Sequence, residues 1–359
     1  MAGPFSMLDG HEQVLFGADE ATGLRCIIAL HSTVLGPGVG GTRFHDYASE
    51  EEALADVLRL SQAMTLKSAV AGLDAGGGKA VIWGDPARDK SEAALRAYGR
   101  MIDSLGGRYV TACDVGTTPA DMGIIKRETR WVTGAEPEEG GSGDSGITTA
   151  VGTYAGLRAC AAALPGSPGL GSLHVAIQGV GKVGRRLAER LAADGAKLTV
   201  ADVDEDATAL CAERYGAEIV GVEDIVAVDC DVLSPNALSA TVSEATLPSL
   251  SCRVVAGAAN NQLAAPELAE ALADAGILYA PDFVINAGGV IQVVDELHPS
   301  GYSQARATRI AEGIEGRLAE VFGVANAEGV TTLAAAERIA LRRIEAVGGV
   351  SRIRRPTGR

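Results

Sequence analysis

Short apolar, β-branched runs alternate along the chain with segments whose apolar residues return every third or fourth position. Residues 24–31 (LRCIIALH) and 108–113 (RYVTAC) predict strands. Between them, SEEEALADVLRLSQAMTLKSA has helical spacing behind Ser49, with Glu52 three residues on, the pattern of a capping box. KSEAALRAYGRMIDSLG predicts a second amphipathic helix, and Lys79 to Trp83 a short buried strand. Gly, Ser and acidic residues concentrate at 136–146 (EPEEGGSGDSG), which predicts a hinge or cleft-edge loop between domains. After a long helix at 147–164 the alternation becomes strict. HVAIQ reads as a strand, KVGRRLAERLAADG as a helix, KLTVADV as a strand and DATALCAERYG as a helix; CDVLSP, RVVAGAA and ILYAP follow as strands. Strand and helix at this interval predict a doubly wound parallel sheet. Residues 303–324 and 331–347 predict helices, and the last nine residues (SRIRRPTGR) a frayed tail.

Composition narrows this α/β pattern. A chain of 359 residues fits two domains. Apolar residues make up 47% and aromatics only 4%, so the core is built from small aliphatic side chains. A net charge of −15 argues against nucleic acid or an anionic membrane surface as partner. No window approaches 18 uninterrupted apolar residues, and the N-terminus lacks a basic flank followed by an apolar run. The six cysteines are scattered, without C-x-x-C or zinc spacing, so reduced, mostly buried thiols and no metal are expected. A soluble cytoplasmic protein is the expectation.

HVAIQGVGKVGRRLAERL holds Gly179, Gly181 and Gly184 in G-x-G-x-x-G form, with Val180, Lys182 and Val183 between them. A strand precedes the motif, a helix follows it, and the next strand ends near Asp202, 23 residues after Gly179. Gly179 suits the tight turn, Gly181 the approach of a pyrophosphate, and Gly184 close helix–strand packing; the helix N-terminus adds N–H groups and a positive dipole end. Asp202 would accept the ribose hydroxyls and repel a 2′-phosphate, which favours NAD over NADP. Arg185 and Arg186 fall in the first helical turn and are expected to face solvent.

A second glycine-rich stretch, GLDAGGGKAVI at 72–82, ends in Lys79. It fails the P-loop pattern, which needs Gly at 73 and Ser or Thr at 80, where the chain has Leu73 and Ala80. None of the five histidines (His11, His31, His45, His174, His298) sits in a recognisable catalytic setting. Lys67 closes a helix and Lys79 opens a strand twelve residues later, so a short connection can bring both to one cleft. Two ammonium groups sharing a desolvated site repel, which favours the neutral, basic form of one and leaves the other to hold a carboxylate. Asp114 ends a strand at a Gly/Thr-rich turn, where a catalytic acid would project. The bare backbone before Lys79 would let a substrate approach closely.

LGPGVGGTRF, MTLKSAVAGLDAGGGKAVI, YVTACDVGTT, GAANNQLA and ILYAPDFVINAGGVIQVVDEL, in this order across almost the whole chain, resemble the dehydrogenases acting on glutamate, leucine, valine and phenylalanine, with the bacterial valine and leucine enzymes nearest. The resemblance implies oxidative deamination: L-amino acid, NAD⁺ and water give a 2-oxo acid, ammonia and NADH. By motif position it implies that Lys67 binds the substrate carboxylate, that Lys79 is the general base toward water, and that Asp114 shuttles protons to and from the substrate nitrogen. It assigns Gly40 to the substrate site, Asn260 or Asn261 to substrate and nicotinamide, and Thr148, Ala258 and Asn286 to the nicotinamide end. Val39, Ala112, Val290 and Val293 would line a side-chain pocket without charge, which favours a branched-chain substrate over glutamate. Residues 1–140 would form the substrate and oligomerisation domain and 141–324 the Rossmann-type dinucleotide domain, with helices at about 325–359 packing back toward the first. A homo-oligomer is implied. A phenylalanine dehydrogenase and a catalytically silent NAD-binding sensor are the alternatives; Lys79 as a Schiff-base nucleophile would leave the dinucleotide motif unexplained.

Overall fold

The computed structural model describes residues 4–350 apart from 168, 238 and 239; the arginine-rich tail and its expected fraying lie outside the described residues. The chain divides into two compact units. One holds the described residues within Met1–Asp144, Gln292–Gln304 and Ala340–Arg359, the other those within Ser145–Ile291 and Ala305–Ile339. Residues 292–304, expected with the dinucleotide domain, group with the first unit, and residues 325–339 group with the second. Polar contacts account for both. The Glu296 carboxylate accepts the Gly134 and Ser142 N–H groups at 3.0 Å, and Gln292 donates to the Ser142 carbonyl at 3.0 Å. Burial pushes the Glu296 carboxyl up against the pull of these donors. Thr332 donates to the Tyr279 carbonyl at 2.7 Å.

In the first unit, β1 (Gln13–Asp19), β2 (Leu24–Ser32), β3 (Gly38–His45), β4 (Gly76–Trp83) and β5 (Tyr109–Cys113) form a sheet in the order β1-β2-β4-β3-β5. β2 is antiparallel to β1 and β4, whereas β3 runs parallel to β4 and β5. Helix α1 (Glu50–Val70) covers one face, α2 (Glu92–Asp103) and α3 (Pro119–Lys126) the other. Strand alternation sorts the core: Ile27, Ala29 and Val81 meet Leu54, Val57 and Leu58 of α1, while Ile28, Leu30, Ala80 and Ile82 meet Leu95, Tyr98, Ile102 and Met122. Each such Ile or Leu contributes about 1.5–3 kcal/mol by leaving water. Ser49 caps α1 as expected, accepting the Glu52 N–H at 3.1 Å, but the Glu52 carboxylate turns to the Ala48 N–H at 2.8 Å instead of closing the box on Ser49.

The second unit begins with α4 (Gly146–Ala163) and continues as β6 (His174–Gln178), α5 (Gly184–Asp194), β7 (Lys197–Ala201), α6 (Glu205–Tyr215), β8 (Glu218–Ile219), β9 (Cys230–Pro235), β10 (Cys252–Val255), α7 (Leu268–Asp274), β11 (Leu278–Tyr279) and α8 (Asp282–Ile285); α9 (Gly288–Asp295) passes into the first unit at Gln292. Its strands pair in parallel in the order β11-β10-β9-β6-β7-β8, the doubly wound Rossmann arrangement. The helix expected at 303–324 is two, α10 (Gln304–Glu312) and α11 (Ile314–Glu328), separated at Gly313; α12 spans Thr332–Val350. The strand expected at 253–259 stops at Val255; beyond it Gly257 lies so close to β9 that a Cβ there would stand 2.1 Å from the Pro235 carbonyl oxygen. Among the described residues no helix is long and apolar enough to cross a membrane.

Candidate active site

Alternation along β4 puts Lys79 on the α1 face, between Gly77 and Val81. Its side chain is 8% exposed, and Nζ lies 2.9 Å from Asp114 Oδ2 just past β5. The same oxygen accepts from Arg43 Nε at 3.2 Å, and Arg43 Nη1 reaches Asp56 of α1 at 2.8 Å. Lys79, Asp114, Arg43 and Asp56 therefore form a row of alternating charge. Burial pushes the Asp114 carboxyl up; the Lys79 ammonium and the Arg43 guanidinium outweigh it and hold Asp114 below the usual aspartate range. For Arg43 too, burial opposes the charge and the carboxylates of Asp114 and Asp56 prevail. The Asp114 N–H donates to Thr117 Oγ1 at 2.9 Å, and that hydroxyl contacts the Thr42 carbonyl at 2.9 Å, which ties the turn to β3.

At hydrogen-bonding distance Lys79 meets a carboxylate; Lys67, in the last turn of α1, is half-buried and has an interaction of its own. One expectation changes here: the glycines leave no opening. A Cβ on Gly77 would stand 1.9 Å from Thr65 Oγ1, on Gly76 2.1 Å from the Ser32 carbonyl oxygen, and on Gly78 2.8 Å from the Tyr109 ring. The protein's own helix and strands fill the space, and Gly40 is pressed on Gly78 in the same way.

Strand register sets Val39 beside Val110, Gly40 beside Thr111 and Gly41 beside Ala112. Val39 is fully buried and Ala112 nearly so. Behind them, Thr42 Oγ1 lies 2.5 Å from the Tyr98 hydroxyl and 2.6 Å from Thr111 Oγ1, and Tyr109 donates to the Gly40 carbonyl at 2.7 Å. Val290 and Val293 are on α9, the first buried and the second half-buried. Arg43 went unnoticed in sequence although it lies within LGPGVGGTRF, because nothing local announces a partner 71 residues away.

The second group lies at the C-terminal ends of β6, β7, β9 and β10, the usual ligand edge of such a sheet. Gly179 has φ +92°, and a Cβ on Gly184 would stand 2.0 Å from the Gly179 carbonyl oxygen, so the turn into α5 requires both. Above Gly181 there is open space to 4 Å among the described residues. Val180 is buried, Lys182 exposed and Val183 half-buried, and Arg185 is exposed as expected; Arg186 is half-buried, with Nη1 donating to the Lys182 carbonyl. Asp202 accepts the Val180 N–H at 2.7 Å and the Asp204 N–H at 3.0 Å through different oxygens. Past β10, Asn286 Nδ2 donates to Asn260 Oδ1 at 2.9 Å and approaches the Ala258 and Ala259 carbonyls at 3.3 Å. Asn261 differs from Asn260: it takes the left-handed backbone, φ 53°. Thr148 is buried in the first turn of α4.

Residues 11–131 match the Glu/Leu/Phe/Val dehydrogenase dimerisation domain, and residues 199–348 match the glutamate/leucine/phenylalanine/valine dehydrogenase domain. Valine dehydrogenase of Streptomyces coelicolor is 52% identical over 339 residues, which covers 93% of this chain and 92% of that one. The chain belongs to the Glu/Leu/Phe/Val dehydrogenase family. Leucine dehydrogenase of Geobacillus stearothermophilus is 50% identical over 93% of this chain and 91% of its own. The crystal structure of L-tryptophan dehydrogenase from Nostoc punctiforme superposes with a TM-score of 0.84 at 40% identity, over 96% of this chain and 98% of that one. As a member of this family the protein is an amino-acid dehydrogenase, and the family works with a nicotinamide dinucleotide. The residues present fit one. Gly181 leaves room for a pyrophosphate at the α5 N-terminus, and buried Asn286 Oδ1 has no hydrogen-bond partner among the described residues, an acceptor suited to a carboxamide N–H.

Proposed function

We propose that this enzyme catalyses the reversible, NAD-dependent oxidative deamination of a branched-chain L-amino acid. The observation that carries the reading is the buried Lys79–Asp114 pair, 2.9 Å apart, in a chain about half identical to valine and leucine dehydrogenases over 93% of its length. In this scheme Lys67 holds the substrate carboxylate. Lys79, as the neutral amine, takes a proton from the water that attacks the substrate imine carbon, and Asp114, which lies at hydrogen-bonding distance from Lys79 Nζ, exchanges protons with the substrate nitrogen. Arg43 keeps Asp114 charged and oriented between these events. Gly179 to Gly184, Asp202, Thr148, Ala258, Asn260, Asn261 and Asn286 hold the dinucleotide, which when bound supplies the hydride acceptor. An aspartate carboxylate has about four lone-pair positions, so Asp202 retains capacity for ribose hydroxyls beyond its two backbone N–H contacts, while its charge disfavours a 2′-phosphate.

Val39, Ala112, Val290 and Val293 are all aliphatic, which supports valine, leucine or isoleucine and argues against a γ-carboxylate. One methylene is worth about 1–3 kcal/mol of discrimination, so the three substrates overlap. The match to a domain named for dimerisation supports a homo-oligomer, and the cytoplasm is the proposed location. A second reading, an aromatic substrate, draws on the likeness to the Nostoc L-tryptophan dehydrogenase. NADH formation from L-valine, L-leucine, L-isoleucine, L-phenylalanine, L-tryptophan and L-glutamate, with NAD⁺ or NADP⁺, tests the reading. Branched-chain substrates with NAD⁺ are expected to lead. An aromatic lead would overturn the pocket assignment, and silence from a protein that still binds NADH would favour a sensor.

A further inference from the structure

Helix α12 begins in the second unit and enters the first at Ala340. From residue 341 to 350 none of its side chains is buried, so apolar packing does little to hold this end. Arg343 supplies the hold. Its Nη1 donates to the Leu73 carbonyl at 2.6 Å, while Nη2 donates to the Gly72 carbonyl at 3.3 Å and pairs with Asp74 Oδ1 at 2.8 Å. Asp74 is 90% exposed, so the ion pair adds little; the charge-assisted bonds to two carbonyls carry the contact.

Gly72 to Ala75 is the connection between α1 and β4, hence between Lys67 and Lys79. It is bonded into the last turn of α1, with the Leu73 N–H on the Ser68 carbonyl at 3.0 Å and the Ala71 N–H on the Lys67 carbonyl at 3.1 Å. On the other side the connection lies against Gly36, where a Cβ would stand 2.3 Å from the Asp74 carbonyl oxygen, and the Gly76 N–H donates to Pro37 at 2.8 Å. The chain is gripped between the turn before β3 and a side chain 270 residues away.

We propose that Arg343 is a positioning residue for the amino-acid site: it fixes the Gly72–Asp74 connection so that Lys67 and Lys79 keep a set separation. The inference rests on the reading of these two lysines as the substrate-handling pair. Steady-state kinetics with L-valine and titration with NADH, on wild type, Arg343→Ala, Arg343→Lys and Lys67→Ala, tests it. A small misplacement of a substrate-holding group is costly, so Arg343→Ala is expected to raise KM for L-valine about tenfold or more while Kd for NADH stays within about twofold. Arg343→Lys should fall between, since one ammonium cannot reproduce the fork. An unchanged KM in Arg343→Ala, or a Kd for NADH that worsens in step with KM, overturns the proposal. If Arg343→Ala does not fold, Arg343→Lys decides by the same two readouts. Lys67→Ala separates the failures: a raised KM there with none in the Arg343 variants sinks the positioning role alone, whereas an unchanged KM sinks the lysine assignment beneath it.

Discussion

Gly77→Ala adds a single methyl group at a crowded point of the first unit. The new Cβ would stand 1.9 Å from Thr65 Oγ1 and 2.4 Å from both the Ser61 carbonyl oxygen and the Thr65 nitrogen. Two of these are backbone atoms of α1, so no rotamer relieves the clash. Thr65 Oγ1 is itself held by His31 Nδ1 at 2.9 Å and by the Ser61 carbonyl at 3.3 Å. Ordinary contact begins near 3.4 Å, so α1 must retreat from β4 by about 1 Å. Overpacking of this kind costs about 1–3 kcal/mol, and a backbone clash belongs at the upper end. At about 2–4 °C per kcal/mol for a unit of this size, Tm should fall by roughly 6–12 °C. The same retreat shifts Lys67 relative to Lys79, so KM for L-valine should rise in the fraction that stays folded. Differential scanning calorimetry and initial rates check the two effects. A Tm within about 2 °C of wild type, with KM unchanged, would refute the packing account and restore the view of an open backbone awaiting substrate.

Asp114→Asn leaves Lys79 and Arg43 without their shared carboxylate. Breaking a buried pair costs about 3–5 kcal/mol; because the Asp114 side chain is 23% exposed the lower figure applies, to be read as a lower urea midpoint alongside the loss of turnover. The folded Asp114 carboxyl titrates below its ordinary 3.8, so the stability it contributes is fully present above that value and disappears as pH falls through the depressed one. The difference in urea midpoint between wild type and Asp114→Asn should therefore be constant above pH 4 and shrink below it; a difference that grew on acidification would reverse the sign. Asp202→Ala removes both the charge and the acceptor for the Val180 N–H, so it should raise KM for NAD⁺ and bring the NAD⁺ and NADP⁺ rates together, as measured with one amino acid and both cofactors.

The second unit was legible because its alternation of strand and helix is local and its G-x-G-x-x-G sits in the right context. The first was less so. β3 begins at Gly38 and β4 at Gly76, and glycine is depleted in strands, so propensity hides β3 and the glycine start of β4, of which only Lys79–Trp83 reads as strand, where tertiary crowding requires a bare backbone. Lys79 and Asp114 both stand out by sequence, but not their contact: it follows from the parallel pairing of β3 with β4 and β5, which also delivers Arg43. Arg343 left no signal at all. It lies in an ordinary helical pattern, and its importance comes from a contact across 270 residues.

On this mechanism Lys79 is the general base of a branched-chain amino-acid dehydrogenase. Initial rates of NADH formation from L-valine by wild type and Lys79→Met, with NADH affinity measured on the same preparations, test it most directly. Loss of a general base predicts turnover by wild type and a fall of about 10²–10⁴ in the variant, with NADH still bound. A Lys79→Met enzyme that turned over L-valine within about tenfold of wild type would contradict the assignment.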